Sequence, residues 1–170
     1  RAGVVAKPGR EVTRFRPGVE VYGMTGGVGG VQGSLAEFAA VDADLLALKP
    51  ANLSMREAAA LPLIVITAWE GLIDRAGLKA GQKVLIHGGA GGVGHVAIQI
   101  ARAFGAEVFA TGSRPQRATI EGFGAVFIDR DSPVDAYVTQ HTGGRGFDIV
   151  YDTVGGKVLE AEPPTRLVIT

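Results

Sequence analysis

Lys83-Val84-Leu85-Ile86-His87-Gly88-Gly89-Ala90-Gly91-Gly92-Val93-Gly94 is an apolar run that breaks into glycine and restarts as a helix. Lys83–His87 reads as a strand covered on both faces, because it lacks the alternation of a half-solvated strand. Gly89, Gly91 and Gly94 then satisfy the spacing GxGxxG. In that spacing the first glycine permits the tight turn, the second lets a pyrophosphate approach the backbone, and the third lets helix and strand pack closely. Free N–H groups and the helix dipole at Gly91, Gly92 and Val93 can hold a diphosphate without a basic side chain. The spacing alone is weak evidence. The strand before it, the helix after it and a second strand beyond give it the context of a dinucleotide site.

The same rhythm continues toward the C-terminus. Gly91–Gly105 reads as a helix with Val93, Val96, Ala97, Ile100, Ala101 and Phe104 on one face. Glu107–Thr111 is the next strand, Arg114–Gly122 a helix, Val126–Ile128 a strand, Pro133–His141 a helix and Phe147–Tyr151 a strand. Strands alternating with helices across short glycine turns predict an α/β fold with a parallel sheet of Rossmann type and right-handed crossovers.

Toward the N-terminus the pattern changes. Gly3–Val5, Val19–Tyr22, Leu35–Ala40 and Leu45–Leu48 read as short strands. Pro8-Gly9, Pro17-Gly18 and the glycines between Gly26 and Gly33 punctuate them, so this part reads as an incomplete β-rich module. Asn52–Ser54 can cap a helix through Met55–Ala60, and Pro62 is expected to open a second helical segment reaching Arg75, ended by Gly77 and Gly81. The shift of period from two to 3.6 puts a boundary near Pro50–Ser54 or a little later.

Composition excludes several function classes. Lys and Arg number 17, as do Asp and Glu, so the net charge is zero. The basic footprint of a nucleic-acid binder or of a polybasic membrane-surface protein is therefore missing. The longest apolar run, Ala58–Trp69, is too short to span a bilayer and contains Pro62. With no cysteine in the chain, disulfides, a thiolate nucleophile and a Cys-ligated zinc site are excluded within it. Arg1 opens the chain without a signal pattern. We expect a cytoplasmic protein, a small-molecule substrate and a homodimer.

The end of the second strand speaks to the nucleotide. A site for NAD wants an Asp or Glu about 20 residues beyond the glycine turn, to accept from the ribose hydroxyls. Ala110-Thr111-Gly112-Ser113-Arg114 offers none. Ser113 can donate to a 2′-phosphate, Arg114 and Arg117 can neutralise it, and Arg130 at the end of the third strand can add to them. The competing reading makes these arginines ordinary solvated charges. The missing carboxylate favours NADPH.

Ala68-Trp69, the segments Leu78–Gln82 and Val84–Gly94, Val21-Tyr22-Gly23, and Phe147–Gly156 together resemble the quinone oxidoreductase branch of the medium-chain dehydrogenase/reductase superfamily. This superfamily also contains the zinc-type alcohol dehydrogenases. The resemblance covers about Gly3 to Leu159. It implies part of a β-rich, GroES-like catalytic domain over 1–54 and an incomplete NADP-binding Rossmann domain over 55–160. It also implies that 161–170 is a C-terminal strand returning to the catalytic domain. Members reduce quinones or activated alkenes with NADPH, generally without metal. By the resemblance, Thr67 sits near the nicotinamide, Gly91–Gly94 hold the pyrophosphate, Ser113 and Arg114 the adenosine phosphate, and Thr153, Val154 and Gly155 the nicotinamide ribose. Family chains are roughly twice as long. Parts of both domains are thus expected to be absent, leaving Phe147–Tyr151 as an exposed sheet edge.

Hydride transfer asks mainly for positioning, because the cofactor carries the reactive bond. No catalytic residue is assigned. His87 and His95 flank the glycine turn but read as packing or loop hydrogen bonds, and His141 as a helix-end contact. Tyr22 and Met24 are candidate pocket residues or core; Trp69 and Phe104 read as packing. Asp152 stands at the ligand edge of its strand, as a site residue or a turn cap. The expected function is an NADPH-dependent reductase of a quinone, activated alkene or carbonyl. The alternatives are a dinucleotide-binding module without turnover, and a zinc alcohol dehydrogenase whose ligands lie elsewhere.

Overall fold

The computed structural model describes residues 1–26, 33, 36–155, 165 and 167–169. It divides into two compact units, Arg1–Leu63 and Ile64–Thr170.

In the first unit, β1 (Ala2–Val4), β2 (Glu20–Tyr22) and β3 (Ala47–Leu48) form an antiparallel sheet in that order. Val21 pairs with Gly3 on one side and Leu48 on the other, and it is buried, as is Phe15. The strand expected over Leu35–Ala40 does not form: residues 36–40 are irregular and exposed, and Leu35 lies outside the described residues. The strand expected over Leu45–Leu48 is shorter than its pattern. Asp42 accepts from the Asp44 amide at 2.9 Å and tightens Ala43–Leu45 into a 3₁₀ turn, a local bond that competes with strand pairing.

Helix α1 (Met55–Trp69) contains the unit boundary. Ser54 caps it reciprocally: its amide and hydroxyl donate to Glu57 Oε2 at 2.9 and 2.8 Å, and the Glu57 amide donates back to Ser54 Oγ at 3.3 Å. These bonds hold the Glu57 carboxyl below its ordinary range. Pro62 lies inside α1 rather than opening a second helix. Proline removes one helix hydrogen bond, but Ala58 one turn before it and Pro62 itself are buried, and that packing offsets the loss. A π-helical turn, Glu70–Arg75, extends α1.

The second unit is a five-stranded sheet in the order β6-β5-β4-β7-β8, with every neighbouring pair parallel. Its strands are β4 (Lys83–His87), β5 (Glu107–Gly112), β6 (Val126–Asp129), β7 (Ile149–Asp152) and β8 (Val168–Ile169). Helices α2 (Gly92–Ala103), α3 (Arg117–Gly122) and α4 (Val134–Thr142) connect them. Successive residues of β4 serve opposite faces. Val84 and Ile86 join a core with Ala68, Leu72, Ala97 and Ala101, while Leu85 joins Phe109, Tyr137, Val138 and Phe147 on the other face. Helices on both faces explain the uninterrupted apolar strands. Two packing expectations are met only in part. Ile98 is fully buried although it stood outside the expected α2 face, and Trp69 and Phe104 meet edge to face at 5.7 Å while staying substantially exposed.

Val168 and Ile169 pair with Val150 and Tyr151, so β8 extends the parallel sheet and corrects the expectation of an exposed edge. The edge of β7 is covered accordingly, because its unpaired backbone groups take the nearest apolar segment as partner. The helix expected over Arg114–Gly122 begins as a 3₁₀ turn, Arg114–Gln116, before α3.

Candidate dinucleotide site

The chain runs outward from β4 to β5 and β6 on one side, then returns to place β7 on the other. The carboxyl ends of β4 and β7 therefore flank a topological switch point, where open parallel sheets form their ligand crevice. Gly88–Gly94 and Asp152–Gly155 are the two turns that emerge there.

The glycine turn is fixed mainly by backbone geometry. Gly88 takes φ +74°, and a Cβ on it would lie 2.9 Å from both Thr153 Oγ1 and Val154 Cγ2. A Cβ on Gly89 would meet Ala110 Cβ at 2.6 Å, and one on Gly94 would meet the Gly88 carbonyl oxygen at 2.2 Å. These glycines are steric necessities of the fold. Gly92 is not: a Cβ there would find nothing closer than Ile64 Cγ2 at 3.8 Å. Gly91 starts α2 with no side-chain cap, and no acidic residue occupies the first turn. An exposed helix start without a cap or a carboxylate suits an anion, and a pyrophosphate fits it.

Neighbouring side chains hold this turn in place. Thr111 accepts from the Gly88 amide at 3.3 Å through Oγ1, and its carbonyl accepts from Gly89 N–H at 2.9 Å. His87 Nδ1 lies 3.1 Å from the same hydroxyl, and burial pushes the His87 imidazole below its ordinary range. His95 Nδ1 lies 2.9 Å from the Gly91 carbonyl, and its ring rests on Phe123. Both histidines thus have the packing and loop roles expected of them. His141 packs on Phe109, where burial and Lys83 lower its pKa.

The opposite turn is held by Asp152, only 5% exposed. Its carboxylate accepts from Val154 N–H at 2.8 Å and Gly155 N–H at 3.1 Å, and Thr153 Oγ1 donates to the His87 carbonyl at 2.7 Å. Asp152 is therefore a turn cap. A cavity of about 600 Å³ opens beside it, with Thr67, Gly71, Val93, Tyr151, Thr153 and Ile169 in its wall. Tyr151 Oη donates to the Thr67 carbonyl at 3.0 Å, just before the π-helical turn. Burial, then the charge of Glu70, raises the Tyr151 pKa, so the phenol keeps its proton. A Cβ on Gly71 would come within 2.8 Å of the Tyr151 ring.

The expected adenosine-phosphate residues gather at the ends of β5 and β6. Ser113 donates to Gln116 Oε1 from its amide at 2.9 Å and its hydroxyl at 3.0 Å. Arg114 is exposed and donates from Nε to Asp129 Oδ2 at 2.7 Å. Arg117 lies apart from this group, paired with Glu121 and stacked 4.5 Å over Phe127. The Arg130 amide donates to the Gly112 carbonyl at 3.0 Å, and its side chain is exposed. The sequence argument from a missing carboxylate needs correction here. Asp129 pairs with Gly112 in the β5–β6 register, so a carboxylate does stand beside the end of the second strand, supplied by the third. Arg114 holds that carboxyl below its ordinary range.

Sequence reasoning missed Gly88, Thr111, Tyr151 and Asp129. The Gly88-Gly89 pair was a legible signal for the first. The others depend on which strands become neighbours. Among the described residues no three His, Asp or Glu side chains come together as a metal site. No described helix is long and apolar enough to cross a membrane.

Residues 92–162 match the family described as zinc-binding dehydrogenase. The chain is 45% identical to the 2-methylene-furan-3-one reductase of Solanum lycopersicum over 162 residues, covering 91% of this chain and 40% of that protein. The structure superimposes on an alcohol dehydrogenase superfamily protein from Novosphingobium aromaticivorans with a TM-score of 0.92 at 59% identity, covering 94% of this chain and 48% of the other. A mycobacterial protein solved in complex with NADPH gives 0.81 at 32%, with 95% and 50% covered. The chain thus spans half or less of the length of each of these three proteins. The chain belongs to the medium-chain dehydrogenase/reductase superfamily, among its alcohol dehydrogenase- and quinone oxidoreductase-like members.

Proposed function

We propose that this chain holds the cofactor of an NADPH-dependent oxidoreductase that passes hydride to an activated alkene, with quinones as the second substrate class. The observation that carries the reading is the uncapped start of α2 at the switch point, facing solvent beside the Asp152–Gly155 turn. When bound, the reduced nicotinamide supplies the hydride. Gly92 and Val93 present the backbone N–H groups that receive the pyrophosphate, while the Gly91 N–H closes the turn by donating to the Gly88 carbonyl at 2.8 Å. Thr153, Val154 and Gly155, ordered by Asp152, take the nicotinamide ribose. Thr67 and Val93 line the cavity for the ring, and the Tyr151 phenol fixes the Thr67 carbonyl. Its volume falls within the roughly 300–1,000 Å³ of small-molecule sites. At the other end, Arg114 serves the 2′-phosphate.

The alkene is preferred because the tomato relative is named for reducing one conjugated to a ketone. Within the same reading the protein acts in the cytoplasm as a homodimer. Substrate class is tested by following NADPH oxidation by the purified protein with a conjugated enone, a quinone and a saturated ketone. Turnover of the enone above the quinone, with none of the ketone, is expected. A preference for the saturated ketone would contradict the reading.

A further inference from the structure

We propose that Asp129 is a positioning residue for cofactor choice: it anchors Arg114 by Nε so that both terminal guanidinium nitrogens stay available for the 2′-phosphate of NADPH. The inference rests on Arg114 taking that phosphate, as proposed above.

The geometry separates the two ends of the ion pair. Asp129 Oδ1 accepts from the Asp131 amide at 3.2 Å while Oδ2 accepts from Arg114 Nε at 2.7 Å, so the carboxylate is tied on both oxygens. Its side chain is 16% exposed, whereas that of Arg114 is 88% exposed. The Arg114 bond uses Nε alone, and among the described residues no hydrogen bond or ion pair engages its Nη1 or Nη2. A guanidinium is a planar fork whose terminal nitrogens suit phosphate oxygens bidentately. Held by its stem, a long flexible side chain loses less rotamer freedom when the ligand arrives. Neighbouring basic groups are not equivalent. Arg117 is already stacked on Phe127 and paired with Glu121, and Arg130 has only a 4.0 Å approach to Asp131. The Asp129 carboxyl is charged at neutral pH, and its hydrogen bond from Arg114 holds it below its ordinary range.

A half-buried carboxylate near a nucleotide has two other roles with opposite signs. As an acceptor for ribose hydroxyls it would favour NADH. As a bare negative charge it would repel the 2′-phosphate. The Asp129→Asn variant, nearly identical in shape, separates all three. Affinities for NADPH and NADH are measured by reduced-nicotinamide fluorescence in the wild-type protein, D129N, R114A and the double variant. We expect D129N to weaken NADPH roughly tenfold, one unit of 1.4 kcal/mol, and to leave NADH unchanged. In the R114A background, D129N is expected to change nothing further, because its effect passes through the arginine. General damage to the fold would weaken both nucleotides alike and leave their ratio unmoved.

Loss of NADPH affinity in R114A without any loss in D129N would overturn the positioning role while leaving Arg114 as the phosphate ligand. A gain of NADPH affinity in D129N, or a loss confined to NADH, would overturn it in favour of repulsion or ribose binding. An unchanged NADPH affinity in R114A would overturn the Arg114 assignment itself, and this inference with it.

Discussion

At the ends of β4 and β7 the candidate site is built from backbone: glycines without room for a Cβ, an uncapped helix start, and a turn tied by the buried Asp152. At the ends of β5 and β6 it is built from exposed side chains, with Arg114 leaning on Asp129 and Ser113 on Gln116. In the first region Gly88, Gly89, Gly94 and Asp152 are tied into the fold, so none of these four changes without disturbing it. The second can be rewritten by single substitutions at little cost to folding. Binding as such is expected to reside in the first region, and the choice between nucleotides in the second.

The comparison is broken most severely at Gly94. A methyl group there would sit 2.2 Å from the Gly88 carbonyl oxygen, in backbone that cannot swing aside. Gly94→Ala is expected to cost about 1–3 kcal/mol of stability by overpacking. Nucleotide affinity should fall about a hundredfold or more as the turn opens, since misplacement of about an ångström carries that penalty. Thermal melting and fluorescence titration of the same sample check both effects.

Asp152→Ala comes next. It leaves the Val154 and Gly155 amides without their acceptor, at about 1–3 kcal/mol. Both NADPH and NADH should weaken by about tenfold, their ratio unchanged. A change in the ratio would mean that the two regions are not separate. Asp152→Asn, which keeps one acceptor oxygen, should recover most of the loss.

Gly92→Ala sharpens the contrast from the other direction. With its nearest neighbour at 3.8 Å, the added methyl has room, and alanine is the better helix former by up to about 1 kcal/mol. The melting temperature should hold or rise while affinity for both nucleotides falls several-fold, because the methyl stands beside the amides that meet the pyrophosphate. Unaltered affinity would remove Gly92 from the site.

Tyr151→Phe should have the smallest effect. It removes the hydrogen bond to the Thr67 carbonyl but keeps the ring against Gly71. Stability should drop by about 1 kcal/mol. Turnover should fall a few-fold with the Kd for NADPH unmoved, since Thr67 and the cavity lie at the nicotinamide end. Single-turnover kinetics beside equilibrium titration distinguish the two.

These two regions were also unequally legible in the sequence. Gly89–Gly94 could be read directly, because the spacing, the strand before it and the helix after it are all local. The parallel sheet was legible in the alternation of strands and helices, whereas its strand order, with β7 on the far side of β4, was not. Asp129 could not be found that way. It lies 15 residues from Arg114 along the chain and meets it only because β6 pairs with β5 in a register that sets Gly112 opposite Asp129. Thr111 and Tyr151 are similar cases, ordinary strand residues until β4 and α1 are placed beside them. Pro62 misled in another way, since a local preference against helix interiors yielded to burial of the surrounding turn. The β-rich unit read least well because its strands are only two or three residues long, so a single Asp side chain redirects the backbone.

The central claim, that Gly88–Gly94 is a dinucleotide site tuned to the 2′-phosphate, is most directly tested by titrating the protein with NADPH and NADH and following the fluorescence of the reduced nicotinamide. Saturable binding of both, with NADPH tighter by about tenfold or more, is the expected result. Binding of neither would contradict the site, and NADH binding as tightly as NADPH would contradict its tuning by Arg114.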